Sequence, residues 1–318
     1  MENIDQPLVS IIVITYNSSE FVLETLESIK AQTYPNIELI VTDDNSKDET
    51  VAVVKKWIVG NDKHFVRGVL VTSEKNTGIP SNLNRGVNVS AGRWIKCIAG
   101  DDLLAENCIS DLINYIITQK DDIHILYSDV VRFFGNSINN VEHKKFENAR
   151  FWSVESSAKD QYEILLRSNR VYAVAVIMRK DLLDSFHGFD ERYRFLEDWP
   201  LWIKITYAGY KIYYLDKPLV YYRLHGNNIS MTTNQNYLCH PVNKINISFK
   251  EKELIPRLPF IERYGLKHEI LCIKTCFFLG NNKKNPFTRF VYCAFNISNP
   301  FYTYLRIKKI LGISKNIV

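Results

Sequence analysis

At 318 residues, 46% of them apolar and 24% charged, the chain suits one large folded domain plus an appendage and is too apolar to be largely disordered. A net charge of +5 is mild, and no segment carries a long basic run. That argues against a nucleic-acid arm and leaves anionic small molecules or an anionic membrane surface as partners.

The six cysteines form no C-x-x-C pair, so a zinc ribbon is not indicated. Cys272 and Cys276 stand one helical turn apart and are expected as buried free thiols. The start "MENIDQPLVS" lacks a signal-peptide layout, and no stretch nears the ~20 apolar residues of a membrane span. The expected location is cytoplasmic, with reduced thiols.

"LVSIIVITYN" is a short β-branched apolar run that reads as a buried strand meeting a loop. "SSEFVLETLESIKAQTY" spaces Phe21, Leu23, Leu26 and Ile29 for one helix face, with Ser18 or Ser19 as its expected cap. "NIELIVTDD" predicts a second strand and "ETVAVVKKWIV" a second helix. "FVRGVLVTSE" predicts a third strand, "IPSNLNRGVNVSA" a helix, and "GRWIKCIAG" a fourth strand running into Asp101 and Asp102. "DIHILYSDVVRFF" reads as strand and turn, and residues from about 136 to 160 as polar loop. "VYAVAVIMRKDLLDSF" predicts a strand entering a helix. A turn at Gly188 then precedes a helix bearing Trp199, Trp202 and Ile203. "KIYYLDKPLVYYRLHG" predicts paired strands. After Gly226 the alternation stops, and "EKELIPRLPFIERYG", "LKHEILCIKTCFFLG" and the aromatic C-terminal stretch read as helices. The division expected is a domain over 1–230 and a helical extension over 231–318.

Strands alternating with helices imply βαβ units and a mainly parallel sheet, whose strand carboxyl ends face the ligand crevice. Those ends carry Thr15-Tyr16-Asn17, Asp43-Asp44-Asn45 and Asp101-Asp102, so three polar clusters should share one sheet edge. Each has a plain alternative. Asp43-Asp44-Asn45-Ser46 could be only a strand-to-helix turn, and Glu197-Asp198 only a helix first turn meeting the dipole. Asp101-Asp102 could be a turn or cap. It could equally hold a hard cation, which needs oxygen ligands and offsets their repulsion. Trp199 and Trp202 fit a core better than a sugar platform.

Seven fragments, "VSIIVITYN", "IELIVTDDNSKDET", "NTGIPSNLNRG", "AGRWIKCIAGDD", "HGFDE", "RFLEDWPLWIKI" and "VYYRLHGNNIS", occur in an order that resembles family 2 glycosyltransferases of the bacterial surface-polysaccharide type. The resemblance covers roughly residues 7 to 230. It implies the GT-A fold: α/β, with a Rossmann-like, mainly parallel central sheet flanked by helices, here followed by the helical extension. It implies an inverting, metal-dependent enzyme. The sugar would move from a nucleoside-diphosphate sugar, UDP-linked by expectation, to a hydroxyl of a glycan or lipid-linked glycan in cell-surface polysaccharide synthesis. Position by position, Thr15 and Tyr16 resemble the nucleoside-contacting segment, and Asp44 the acid accepting from a uracil-type ring nitrogen. Asp101 and Asp102 match the family's D-x-D element, shortened because Ala99 replaces its first acid. Asp102 is the expected ligand of Mn²⁺ or Mg²⁺, and Asp101 a supporting contact to ribose or metal. Asp198 aligns with the catalytic base. His225 resembles a residue beside the diphosphate or metal.

The chemistry is consistent with that assignment. Breaking the anomeric bond builds negative charge on the diphosphate, which a divalent ion stabilises. The acceptor hydroxyl needs a base within hydrogen-bond reach, and an aromatic setting between Phe195 and Trp199 should raise the Asp198 pKa toward that task. The alternative is a non-catalytic sugar-nucleotide-binding scaffold or regulatory protein. A dehydrogenase would want G-x-G-x-x-G after the first strand, where "TYNSSEF" has no glycine.

In the C-terminal stretch, aromatics interleave with Arg306, Lys308, Lys309 and Lys315. This fits either an interfacial helix in peripheral contact with the inner face of the membrane or a packed helix with a solvated basic face.

Overall fold

The computed structural model describes residues 6–135, 141–142, 156–226 and 242–310. Cys239, Lys315 and most of the connection expected over 136–160 lie outside these. The chain divides into two compact units, Met1–Leu224 and His225–Val318.

The first unit begins with strands β1 (Val9–Thr15) and β2 (Ile37–Asp43), separated by helix α1 (Val22–Lys30). Helix α2 (Thr50–Asn61), strand β3 (Arg67–Thr72), helix α3 (Ile79–Val89) and strand β4 (Trp94–Ala99) follow. These four strands are mutually parallel in the order β3-β2-β1-β4. β1 is buried at six of its seven positions and β2 at all seven, as expected of strands covered on both faces.

The second half of the sheet departs from simple alternation. After β5 (Leu103–Leu104) and α4 (Cys108–Thr118) come β6 (Ile125–Phe134) and a two-residue β7 (Val141–Glu142). Helix α5 (Ala158–Leu165), strand β8 (Val176–Arg179), helix α6 (Lys180–Ser185), helix α7 (Asp198–Tyr207) and strand β9 (Tyr213–Leu224) complete the unit. β8 enters antiparallel between β4 and β6, while β9 runs parallel to β6 and antiparallel to β5. The sheet is therefore mixed, with its parallel half carrying the expected strand ends.

Several sequence expectations need correction. Neither Ser18 nor Ser19 caps α1 with its side chain. The Ser18 carbonyl accepts the Phe21 and Val22 amides instead (3.0 and 2.9 Å). Leu23 points outward, and the buried face is Val22, Thr25, Leu26 and Ile29. α5 occupies part of the supposed loop, closed by a capping box in which Ser157 and Asp160 exchange hydrogen bonds. The paired strands expected over 211–226 are one strand, β9, interrupted by a register shift opposite Asp129. Trp199 and Trp202, by contrast, are buried core residues as expected, their indole N–H groups satisfied by the Leu165 and Val171 carbonyls.

The second unit holds short turns α8 (Val242–Ile245) and α9 (Ile247–Phe249), then α10 (Phe260–Gly280), α11 (Pro286–Ser298) and α12 (Pro300–Ile310). Cys272, Ile273 and Cys276 form its core, with both thiols buried and free as expected. Gly265, read from sequence as a helix end, lies inside α10. A Cβ there would stand 2.3 Å from Phe301 Cβ, so glycine serves the close approach of α10 and α12. No described helix is long and apolar enough to cross a membrane.

Candidate active site

The register sets Thr15 opposite Asp43, Asp43 opposite Thr72, and Ile14 opposite Ala99. The carboxyl ends of four strands therefore lie along one edge, as the alternation predicts. Thr15 donates its hydroxyl to Asp43 Oδ2 (2.9 Å), and its carbonyl accepts the Asp44 amide (3.0 Å) and Asn82 Nδ2 (3.3 Å). Thr15 thus acts as a fastener within the protein, while the next residue, Tyr16, is 50% exposed. Asn17 and Asn45 take left-handed φ angles of 52° and 68°, which asparagine tolerates. The two turns are stitched together by Asn17 N–H to Ser46 Oγ and Lys47 N–H to Asn17 Oδ1, both 2.8 Å.

Asp44 is buried and accepts four hydrogen bonds: Thr77 N–H (2.9 Å), the Thr77 hydroxyl (2.7 Å), Gly78 N–H (2.7 Å) and Arg85 (2.6 Å). Burial alone would push its carboxyl up. Bonds from Thr77, Arg85 and Gly78 outweigh that and hold it below the usual range. Asp44 therefore fixes the loop leading into α3. That loop is pressed in turn against the segment ahead of α7. A Cβ on Gly78 would meet Arg194 Cγ at 2.4 Å and the Arg194 carbonyl oxygen at 2.5 Å, and Ile79 N–H donates to that carbonyl (2.9 Å). Further along α3, Asn84 exchanges hydrogen bonds with the Phe189 backbone (2.9 and 2.8 Å) and Ser81 donates to Glu191 (2.8 Å). The fragments "NTGIPSNLNRG" and "HGFDE", about a hundred positions apart in the chain, thus dock on one another.

Asp198 is the first residue of α7 and partly buried. Asn169 Nδ2 donates to its Oδ2 at 2.7 Å, and the Trp199 amide donates to Oδ1. Burial pushes its pKa up to about 6 against those two bonds, the direction expected from its aromatic setting. Glu197 beside it is also raised, by burial first and then by the Asp198 charge.

Gly100 closes against β1, where a Cβ would lie 2.9 Å from Thr15 Cγ2. This places Asp101 and Asp102 beside the first strand end. Asp102 is buried, and Arg223 N–H donates to its Oδ1 (2.9 Å). Burial, then the charge of Asp101, pushes its carboxyl well above the ordinary range. Arg223 is itself wholly buried. It donates Nε to the Asp101 carbonyl (2.7 Å), a terminal nitrogen to Gly135 O (2.6 Å) and the other to Glu24 (2.7 Å), between the rings of Phe21 and Phe133.

The donor set fits a divalent ion. Two adjacent acids, of which Asp102 stays raised by burial and by the charge of Asp101 despite Arg223 and Lys96, suit Mg²⁺ or Mn²⁺, and the hydrogen bond from Arg223 engages only Oδ1 of Asp102. Among the described residues no three His, Cys, Asp or Glu side chains gather as a closed cage, so phosphate and water would complete the shell. His225 opens the C-terminal unit.

The structure therefore gathers Thr15, Asp44 and the Gly100–Asp102 turn, and ties the segment before Asp198 to them through Gly78 and Arg194. Sequence reasoning missed Arg223, Arg85, Asn82 and Asn169. Arg223 had a readable signal, a lone cation inside the apolar run "LVYYRLHG".

The chain resembles known proteins in both sequence and shape. A protein from Haemophilus influenzae called an uncharacterized glycosyltransferase is 28% identical over 252 residues, covering 78% of this chain and 75% of its own. WfaP of Escherichia coli, a UDP-Glc:alpha-D-GlcNAc-diphosphoundecaprenol beta-1,3-glucosyltransferase, is 27% identical over 84% of this chain and 91% of its own. GgaB of Bacillus subtilis, a minor teichoic acid biosynthesis protein, is 26% identical over 82% of this chain but only 29% of its own length. In fold, S. aureus TarS in complex with UDP-GlcNAc superposes with a TM-score of 0.59 at 18% identity, over 91% of this chain and 79% of that one. A Pyrobaculum calidifontis mannosyltransferase with GDP-Man and Mn²⁺ gives 0.54 at 17% identity, over 98% and 81%. These likenesses show the GT-A fold expected from the sequence. The family model for glycosyl transferase family 2 matches residues 10–185, more than half the chain and all four parallel strand ends, and the chain belongs to that family of glycosyltransferases.

Proposed function

We propose that this glycosyltransferase moves a sugar from a UDP-sugar to a hydroxyl of a glycan or lipid-linked glycan, with inversion, in cell-surface polysaccharide synthesis. The observation that carries the reading is the shared edge of Thr15, Asp44 and the Gly100–Asp102 turn, with a raised carboxylate, Asp198, on a segment bound to the same loop. WfaP, by its name a UDP-Glc-dependent transferase onto a diphosphoundecaprenol-linked acceptor, and TarS, seen with UDP-GlcNAc, support the donor and acceptor classes.

Tyr16, exposed at the strand end, stacks beside the base. Asp44 exchanges one of its four internal partners for the ring N–H. Asp101 and Asp102 hold Mn²⁺ or Mg²⁺, with His225 as a further candidate. The ion, when bound, neutralises charge growing on the departing diphosphate. Asp198, its Oδ2 held by Asn169, takes the proton from the acceptor hydroxyl as the bond to the anomeric carbon forms. Attack from the face opposite the leaving group inverts the centre without a covalent intermediate. A lipid-linked acceptor sits in a bilayer, and the enzyme would meet it from the cytoplasm at the inner membrane face.

A panel of sugar nucleotides incubated with Mn²⁺ and a polyprenyl-diphosphate-linked sugar tests the reading. Release of UDP with product of inverted configuration is expected. Turnover with no UDP-sugar in the panel would overturn it.

A further inference from the structure

From Ile270 to Val318 the sequence contains eight Lys or Arg and no Asp or Glu. Of the chain's net +5, this stretch carries +8 and everything before it −3. The bias coincides with an unusual surface. Only five residues, 281–285, join α10 to α11, so the last turn of one lies beside the first turn of the other. The connection is firmly built. Asn281 and Asn282 take left-handed φ angles of 46° and 62°, and Asn285 and Thr288 form a capping box. The Thr288 hydroxyl also donates to the Lys283 carbonyl at 2.8 Å. A Cβ on Gly280 would stand 2.6 Å from Thr288 Cγ2, which sets how closely the helices meet. On this rigid tip Phe278 is 88% exposed, Phe290 71% and Phe287 59%, with Lys283, Lys284 and Arg289 exposed among them. Isolated exposed aromatics are ordinary, but three at one helix–helix connection, interspersed with cations in a stretch whose sequence holds no acid, are not.

We propose that the α10–α11 tip is a docking surface for an anionic lipid bilayer, the phenylalanines entering the acyl–headgroup boundary and Lys283, Lys284 and Arg289 meeting lipid phosphates. The charge decides the occupant. A second copy of this cationic tip would be repelled, whereas an anionic leaflet attracts juxtaposed Lys and Arg. The inference rests on the proposed function only for its use, since a transferase acting on a lipid-linked acceptor gains by sharing the acceptor's surface.

Flotation of the full chain with phosphatidylcholine vesicles, with and without phosphatidylglycerol, tests it. Binding is expected only with the anionic lipid, weakening as salt rises. F278S/F287S/F290S and K283E/K284E should each weaken partitioning at least about tenfold. Should a variant misfold, hydrogen exchange on the wild type replaces it, with vesicles expected to protect residues 278–290. The proposal is overturned by equal binding to neutral vesicles, by variants that float like the wild type, by no protection of 278–290, or by a wild-type dimer that the variants dissolve. UDP-sugar hydrolysis without vesicles is measured in parallel. Its absence in the wild type would count against the transfer reaction and leave the partitioning result standing.

Discussion

Arg223 and Asp102 lie 121 residues apart in sequence and meet through a backbone amide: Arg223 N–H reaches Asp102 Oδ1 at 2.9 Å while its guanidinium holds the Asp101 carbonyl. The end of β9 thus braces both acids proposed to hold the metal. Removing the guanidinium leaves the Asp101 and Gly135 carbonyls and Glu24 without their donor and opens a gap between Phe21 and Phe133. Arg223→Met should cost about 3 kcal/mol in denaturant unfolding. It should also raise the Mn²⁺ concentration needed for half-maximal turnover, since the Asp101–Asp102 turn loses its brace.

Asp198→Asn keeps the side-chain shape but cannot accept a proton. kcat should fall by about 10²–10⁴-fold with UDP-sugar affinity, measured by titration calorimetry, nearly unchanged. An equal loss of donor affinity would show that Asp198 serves binding instead.

The raised Asp198 pKa has two consequences of opposite sign. A base works when ionised, so kcat should climb as pH passes through about 6 and level off above it. Stability moves the other way. Below the ordinary carboxylate range both folded and unfolded chains carry the proton. Between that range and about 6 only the folded chain keeps it, so this group's contribution to stability falls as pH rises through that window. Denaturant midpoints of wild type and Asp198→Asn across the window should converge toward low pH and separate in favour of Asn above it.

Asp44→Asn sets an amide NH₂ against donors that now point at carboxylate oxygens. A loss of about 2–4 kcal/mol in stability is expected, with a higher KM for the donor. Arg85 should become more reactive toward dicarbonyl reagents once its partner is neutral.

Gly78→Ala forces a side chain into a residue with φ 96° and into Arg194. A destabilisation of about 1–3 kcal/mol is expected. Ala at Gly60, where nothing lies within 4 Å of the added Cβ, is the control and should be neutral or better.

The first four strands and the helices between them were legible because each is a compact apolar run ending in polar residues, a local pattern that survives in the fold. β9 was not. Asp216-Lys217-Pro218 interrupts the apolar run, yet the register steps from Leu215 to Pro218 between Ser128 and Asp129, so β9 carries the extra residues as a bulge and stays one strand. Gly265 misled for a similar reason, because its role depends on Phe301, which no local window contains. Asp44, Asp101 and Asp102 were visible as residue types at strand ends, and Asp198 as an acid at the start of a helix. Beyond the lone cation at Arg223, their supports were not, since Arg223, Arg85 and Asn169 act over 29 to 122 positions of sequence.

Gly78 touches both halves of the machinery: its amide serves Asp44, and its bare α-carbon is the floor under Arg194. The residue proposed to meet the nucleoside and the segment proposed to present the general base therefore share one pivot. Lesions on either side should disturb affinity for one substrate and turnover of the other in step, so that kinetic constants usually assigned to separate substrates will covary across a mutant series.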